Sequence, residues 1–282
     1  MRRGLSRELA EDESGSDVDP AGAQKILKLD HALHRSRRSR LCHRALASSQ
    51  GPWDFWEIWS GCGHLTSAFV GLDRVAGPSV DILPNNTVPR LVLNLESEED
   101  ENFLWWLLQQ YRPRHVHVSP PCTFWTLIGR LTARRTREEW QQLRRKYMHH
   151  LMLAVKLMFW QSEHGLTGSF EQPPRCVSWR LRRVRSLLAL PGWQRYVWDS
   201  CRYGARDPGS GLPYLKTQAF ASNVDLSSMV VRCECQPGSH QNIEGNVVGG
   251  PRHGERRTRI SGEFPAAMCE KLAAIIAAHH KQ

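Results

Sequence analysis

The chain has 282 residues, 40% of them hydrophobic and 23% charged, with a formal net charge of +10. That supplies a core for one large α/β domain plus an appendage, and no stretch reaches the roughly 18 uncharged apolar residues of a membrane span. The excess of Lys and Arg favours a polyanionic partner, nucleic acid first, and without such a stretch no membrane role is expected.

Residues 1–50 read as a disordered charged tail. An acidic patch (Glu8, Glu11, Asp12, Glu13, Asp17, Asp19) precedes the basic run HRSRRSRLCHR, and apolar periodicity is weak. The opening MRRGLSRELAEDESGSDVD is basic but lacks an apolar core, so a secretory signal is not expected. The expected location is intracellular, and RSRRSR would suit a nuclear one. The eight cysteines are then expected to be free thiols or metal ligands.

From residue 51 the texture is that of a folded domain. DFWEIW reads as a buried strand, SGCG as a turn and HLTSAFVGL as a helix; GPSVDIL and RLVLNL read as a second and third strand. EDENFLWWLLQQY has helical spacing with acids in its first turn, where they complement the helix dipole. HVHVS is a fourth strand, TREEWQQLRRKYMHHLMLAVKLMFWQSEHG a long helix stopped by Gly165, and TGSFEQPP a fifth strand. The remainder is irregular until the terminal helix in EFPAAMCEKLAAIIAAHH. Alternating strands and helices predict an α/β fold with a parallel sheet and helices on both faces. Most of the eleven tryptophans lie in apolar runs and are expected in the core.

Three features carry candidate chemistry. Gly61 and Gly63 form a strand-to-helix turn that lets a ligand approach the backbone, but Thr66 stands where a dinucleotide fingerprint needs its third glycine. With Asp81 at the end of the second strand, the turn suits a nucleoside ligand whose ribose hydroxyls a carboxylate grips. Cys122 follows two prolines at a strand end, and as residue type alone it could be packing, a metal ligand, a disulfide partner or a nucleophile. Cys201, Cys233, Cys235 and His240 offer zinc three sulfurs and an imidazole, at tighter spacing than a typical finger. His149 and His150 have no partner legible in the sequence.

Taken in order, EIWSGCGHLTSAF, VSPPC and FEQP resemble the C5-cytosine methyltransferase family. The resemblance covers most of 53–280 and implies a Rossmann-like S-adenosylmethionine-dependent methyltransferase sheet with a small irregular C-terminal region. It implies a divergent, monomeric enzyme acting on cytosine in DNA, with 201–262 as a short substrate-recognition region. Trp59, Gly61, Gly63, Asp81, Asn94 and Pro121 would border the cofactor. Cys122 would add to C6 of the base, Glu171 would face its N3/N4 edge, and Lys216, in YGARDPGSGLPYLKTQAFASN, would take the place of a substrate-facing arginine. GEFPAAMCEKLAAIIA would fold back beside the cofactor. The chain departs from the family at Gln172 (usually Asn), at Asn94 (often Asp), and in lacking the full P-Q-x-R-x-R string. The short recognition region makes RNA the close variant. A catalytically silent nucleic-acid-binding relative, and a zinc-braced interaction protein, are the readings from other classes.

Overall fold

The computed structural model describes residues 52–84, 87–126 and 136–281, so the tail and its charged runs lie outside the described residues. The chain forms β1 (Phe55–Ile58), α1 (His64–Val70), β2 (Ser79–Asp81), β3 (Arg90–Val92), α2 (Glu98–Tyr111), β4 (His115–Val118), α3 (Arg137–Glu163) and β5 (Thr167–Gln172). It continues through α4 (Arg182–Leu188), β6 (Gln194–Asp199), β7 (Thr217–Ser222), α5 (Arg257–Ile260) and α6 (Ala266–His279). The seven strands make one sheet in the order β3-β2-β1-β4-β5-β7-β6. β1 to β5 run parallel, whereas β7 enters antiparallel between β5 and β6. This is an α/β Rossmann-like fold, as expected.

Both faces of the sheet are covered, so its central strands are buried throughout. Successive residues of β1 point to opposite sides: Phe55 joins the core formed with α1 and α6, and Trp56 the core formed with α2, α3 and α4. All eleven tryptophans are buried or half-buried. The long helix starts in a capping box, with Glu139 N–H donating to Thr136 Oγ1 at 3.2 Å and Thr136 N–H to Glu139 Oε2 at 2.8 Å. It ends at Gly165, whose φ is 66°. His149 and His150 have partners after all. His149 Nε2 lies 2.8 Å from the Leu95 carbonyl and 3.0 Å from Glu101, and His150 Nε2 lies 3.4 Å from Glu96, tying α3 to the β3–α2 connection.

Two elements fall in the part that reads as irregular from the sequence. The α4 helix, RRVRSLL, carries four charges or polar groups in seven residues and shows only a short apolar face. The β6 strand, QRYVWD, lies at the sheet edge, where only one side of a strand must be covered. Within 201–262, residues 217–222 belong to the sheet as β7, so the segment is divided by a core strand, with α5 in its second part. Among the described residues no helix is long and apolar enough to cross a membrane.

Candidate functional site

The strand order reverses between β1 and β4, and open α/β sheets bind ligands at the carboxyl ends of their strands beside such a switch. Leaving β1, the backbone turns sharply through Trp59 (φ 56°), Gly61 (φ 54°) and Gly63 (φ 74°). A bulky residue at positive φ is strained, so the turn at Trp59 is held by its surroundings. Hydrogen bonds to neighbouring strands and within the turn hold it. Gly61 N–H donates to Asp81 Oδ2 at 2.8 Å, Gly63 N–H to the Ser60 carbonyl at 2.8 Å, and Arg90 Nη2 to the Gly61 carbonyl at 2.8 Å. A side chain added at Gly61 would meet nothing within 4 Å, which leaves open space above the turn.

Asp81 Oδ1 accepts the Leu83 N–H at 3.0 Å, so each of its oxygens holds one backbone proton and keeps a lone pair for a further donor. Ile82 beside it is exposed, an apolar surface at the rim. Asn94, just past β3, is half-buried; its Oδ1 accepts the Glu96 N–H at 3.2 Å and its NH₂ faces no partner in that bond. The missing third glycine also has a structural counterpart. Thr66 N–H and Oγ1 donate to Glu57 Oε2 at 2.9 and 2.5 Å. A donor at the start of α1 that could hold a phosphate is thus spent on a carboxylate of the chain itself. Burial outweighs those bonds and raises Glu57 to about 7. The C-terminal segment closes this side: α6 packs on α1, and His64 Nδ1 lies 2.9 Å from the Phe264 carbonyl. Contact with Cys62 and this carbonyl raise His64 to about 9 against the opposing effect of burial.

On the other side of the switch, β4 ends in Ser119-Pro120-Pro121 and delivers Cys122 to the first position before the 3-10 turn Thr123–Trp125. Cys122 and Glu171 are both half-buried. They meet electrostatically. Burial pushes the Cys122 thiol up to about 12, the charge of Glu171 adds to this, and the ammonium of Lys216 opposes it. Burial likewise raises Glu171 to about 7, again opposed by Lys216. Lys216 reaches this place because β7 runs antiparallel to β5, with Gln172 opposite Ala219, so the residue preceding β7 arrives at the carboxyl end of β5.

Gln172, the departure from the family pattern, is fully buried and acts as a clamp. Its Nε2 donates to the Pro120 carbonyl at 2.7 Å, and its Oε1 accepts from Cys176 Sγ at 3.2 Å and Ser178 Oγ at 3.3 Å. Arg144 of α3 donates from Nε to the Phe124 carbonyl at 2.8 Å, fixing the turn on the other side of Cys122. The sequence signals neither Arg90 nor Arg144, because each acts on a carbonyl far away in the chain. Cys201, Cys233, Cys235 and His240 gather at the far end of β6 in a separate cluster.

No protein-family model matches the chain, and no curated protein matches it. Among solved structures it is similar to the crystal structure of the S. pombe Dnmt2 methyltransferase, with 10% identity and a TM-score of 0.37. The match covers 69% of this chain and 61% of that one, so the chain spans less than two thirds of that protein.

Proposed function

We propose that the chain transfers a methyl group from S-adenosylmethionine to C5 of cytosine in DNA. The observation that carries this reading is the meeting of Cys122, Glu171 and Lys216 at one rim of the sheet, across the switch point from a glycine turn with open space above it. The donor set fits the cofactor. Gly61 and Gly63 would let its amino-acid end lie on the backbone, Asp81 has lone pairs for the ribose hydroxyls, and Ile82 and the Asn94 amide suit the face and edge of adenine. Trp59 and Pro121 would wall the space between cofactor and base. The Glu57–Thr66 pair argues for a ligand without a pyrophosphate. When bound, the cofactor supplies an electrophilic methyl group on a sulfonium.

Each catalytic group then has one task. Cys122 Sγ bonds to C6 as its proton passes to water at the cleft mouth, which makes C5 electron-rich. Glu171, half protonated near neutral pH, gives its proton to N3 as the sulfur adds, so that charge does not build up in the ring. Lys216 offers its ammonium to O2 and to the departing thiolate. Once C5 carries the methyl group, its proton leaves to solvent, the S–C6 bond breaks, and Glu171 recovers its proton from N3. A target in duplex DNA has to be turned out of the stack to reach Cys122. The net charge of +10 suits a phosphate backbone.

A second reading is favoured by the Cys122 thiol at about 12, which keeps it protonated in the resting cleft and suits a silent nucleic-acid-binding relative. Trapping distinguishes the two. Oligonucleotides containing 5-fluorocytosine, offered as duplex DNA, single-stranded DNA and RNA, should give a denaturation-resistant adduct with DNA. The adduct should require S-adenosylmethionine, vanish in Cys122→Ser and form at least about tenfold more slowly in Glu171→Gln. Adduct on RNA alone would move the substrate to RNA. Cofactor binding without any adduct would leave the silent relative.

A further inference from the structure

The cluster at the end of β6 has no part in that chemistry, and we propose that it is a structural zinc site formed by Cys201, Cys233, Cys235 and His240. Zinc binding here stands apart from methyl transfer and can fail without it. The ligand atoms of all four side chains lie within 4.8 Å of one another, and Cys233 Sγ is 3.4 Å from His240 Nε2. A tetrahedral shell with Zn–S near ~2.3 Å and Zn–N near ~2.0 Å has ligand-to-ligand edges of about 3.5–3.8 Å, so the cluster already has nearly the size of a zinc shell.

The local sequence builds this shape. In CECQPGSH, the Ser239 N–H donates to the Gln236 carbonyl at 3.1 Å, and Gly238 has φ 78°. With Pro237 at the second position and glycine at positive φ in the third, this is a type II turn, and it brings His240 back onto the two cysteines. The Cys235 N–H points at Cys233 Sγ at 3.4 Å, a donor that favours a thiolate over a thiol. The backbone around Cys233 is anchored as well. Asp199 Oδ2 accepts the Cys233 N–H at 2.8 Å, and Asp199 Oδ1 accepts the Thr217 hydroxyl at 2.6 Å, joining the cluster to β6 and β7. Cys201 comes from the 3-10 turn Ser200–Tyr203, so the metal would staple residues 233–240 to the end of β6.

Three sulfurs and one neutral imidazole are a closed, structural donor set with no open position for substrate. Binding releases the thiol protons and leaves a net charge of −1 on the site. The staple has a defined reach. Ser200 N–H donates to the Lys216 carbonyl at 2.8 Å, so the turn that presents Cys201 also fixes the backbone of Lys216.

The test uses the whole chain, produced with zinc in the medium and dialysed against a weak chelator. Elemental analysis should find about one zinc per chain. Replacement by Co²⁺ should give the sulfur-to-cobalt charge-transfer absorption and intense visible bands of a tetrahedral thiolate site. Cys235→Ser, on the exposed rim, and His240→Ala should each lower zinc content at least about fivefold, while Cys122→Ser keeps it. Folded wild-type chain with less than about 0.2 zinc would overturn the proposal. So would unchanged metal in both variants, or an intact mass two hydrogens light from a disulfide within the cluster.

Discussion

Glu57 and Glu171 are both raised to about 7 by burial, but they answer to different demands. Glu171 is coupled to Cys122 and Lys216, where a carboxyl that holds its proton near neutrality can act as an acid. Glu57 faces the start of α1 and organises it through Thr66. The unfolded carboxyl releases its proton near 4.5 and the folded one near 7, so between those values the native state holds a proton that the unfolded chain has lost. Stability therefore declines as pH rises through that window, and the loss is complete above it. Glu57→Gln keeps an acceptor for Thr66 and removes the charge. Its unfolding free energy should gain on wild type between pH 5 and pH 8, by an amount on the order of 1–3 kcal/mol at the upper end, seen as a Tm that falls less with pH. Identical pH slopes in melts of the two proteins would refute this account of Glu57. Glu57 lies inside EIWSGCGHLTSAF, but its titration depends on a threonine nine residues on that the sequence showed only as an absent glycine.

At the scale of elements, the site is a set of strand ends held in register by side chains that never touch a ligand. Gln172 belongs to β5 and bonds the carbonyl of Pro120 after β4, so it joins two neighbouring strand exits. Substitution by leucine leaves that carbonyl buried without its donor, at a cost of about 1–3 kcal/mol, and frees the loop that carries Cys122. Gln172→Leu should lower kcat for methyl transfer by about 10–100-fold with a smaller change in KM. Gln172→Asn, one methylene short, should fall on the same side. Full turnover in both variants would reduce the clamp to packing. The β1–β5 core and its helices were legible because each has a full period of apolar residues and a marked boundary: the glycines after β1, the acids opening α2, Gly165 closing α3. The α4 helix and β6 were not, because seven arginine-rich residues and an edge strand give periodicity too little length to work with. Lys216 was legible only through the family resemblance, because its position depends on β7 reversing direction between two other strands.

Across the whole molecule, buried imidazoles oppose the buried carboxyls. Burial lowers His115 well below its usual 6.5, His117 to about 3 and His280 to about 4, with neighbouring histidines adding to the effect at His115 and His280. His115 and His117 instead share the hydroxyl of Ser169, at 2.9 and 2.7 Å. The unfolded chain takes up protons below about 6.5 that the native state refuses, so these groups withdraw stability as pH falls. Between about 4.5 and 6.5 the two carboxyls return part of it. Below about 4.5 they return nothing further. The urea midpoint should therefore fall gradually, by about one proton's worth per pH unit, down to about pH 4.5 and more steeply below it, and His117→Gln should make the decline shallower by about one proton. A drop of equal steepness in the variant would place the proton uptake elsewhere.

The contact of His64 with the Phe264 carbonyl, and the packing of α6 on α1, join residues separated by 200 positions. Translation must therefore run through residue 279 before the glycine turn has its far wall. A nascent chain still held at the ribosome, or one stopped early by a nonsense codon, would carry Cys122 and Glu171 but leave the glycine-turn side of the site open to solvent.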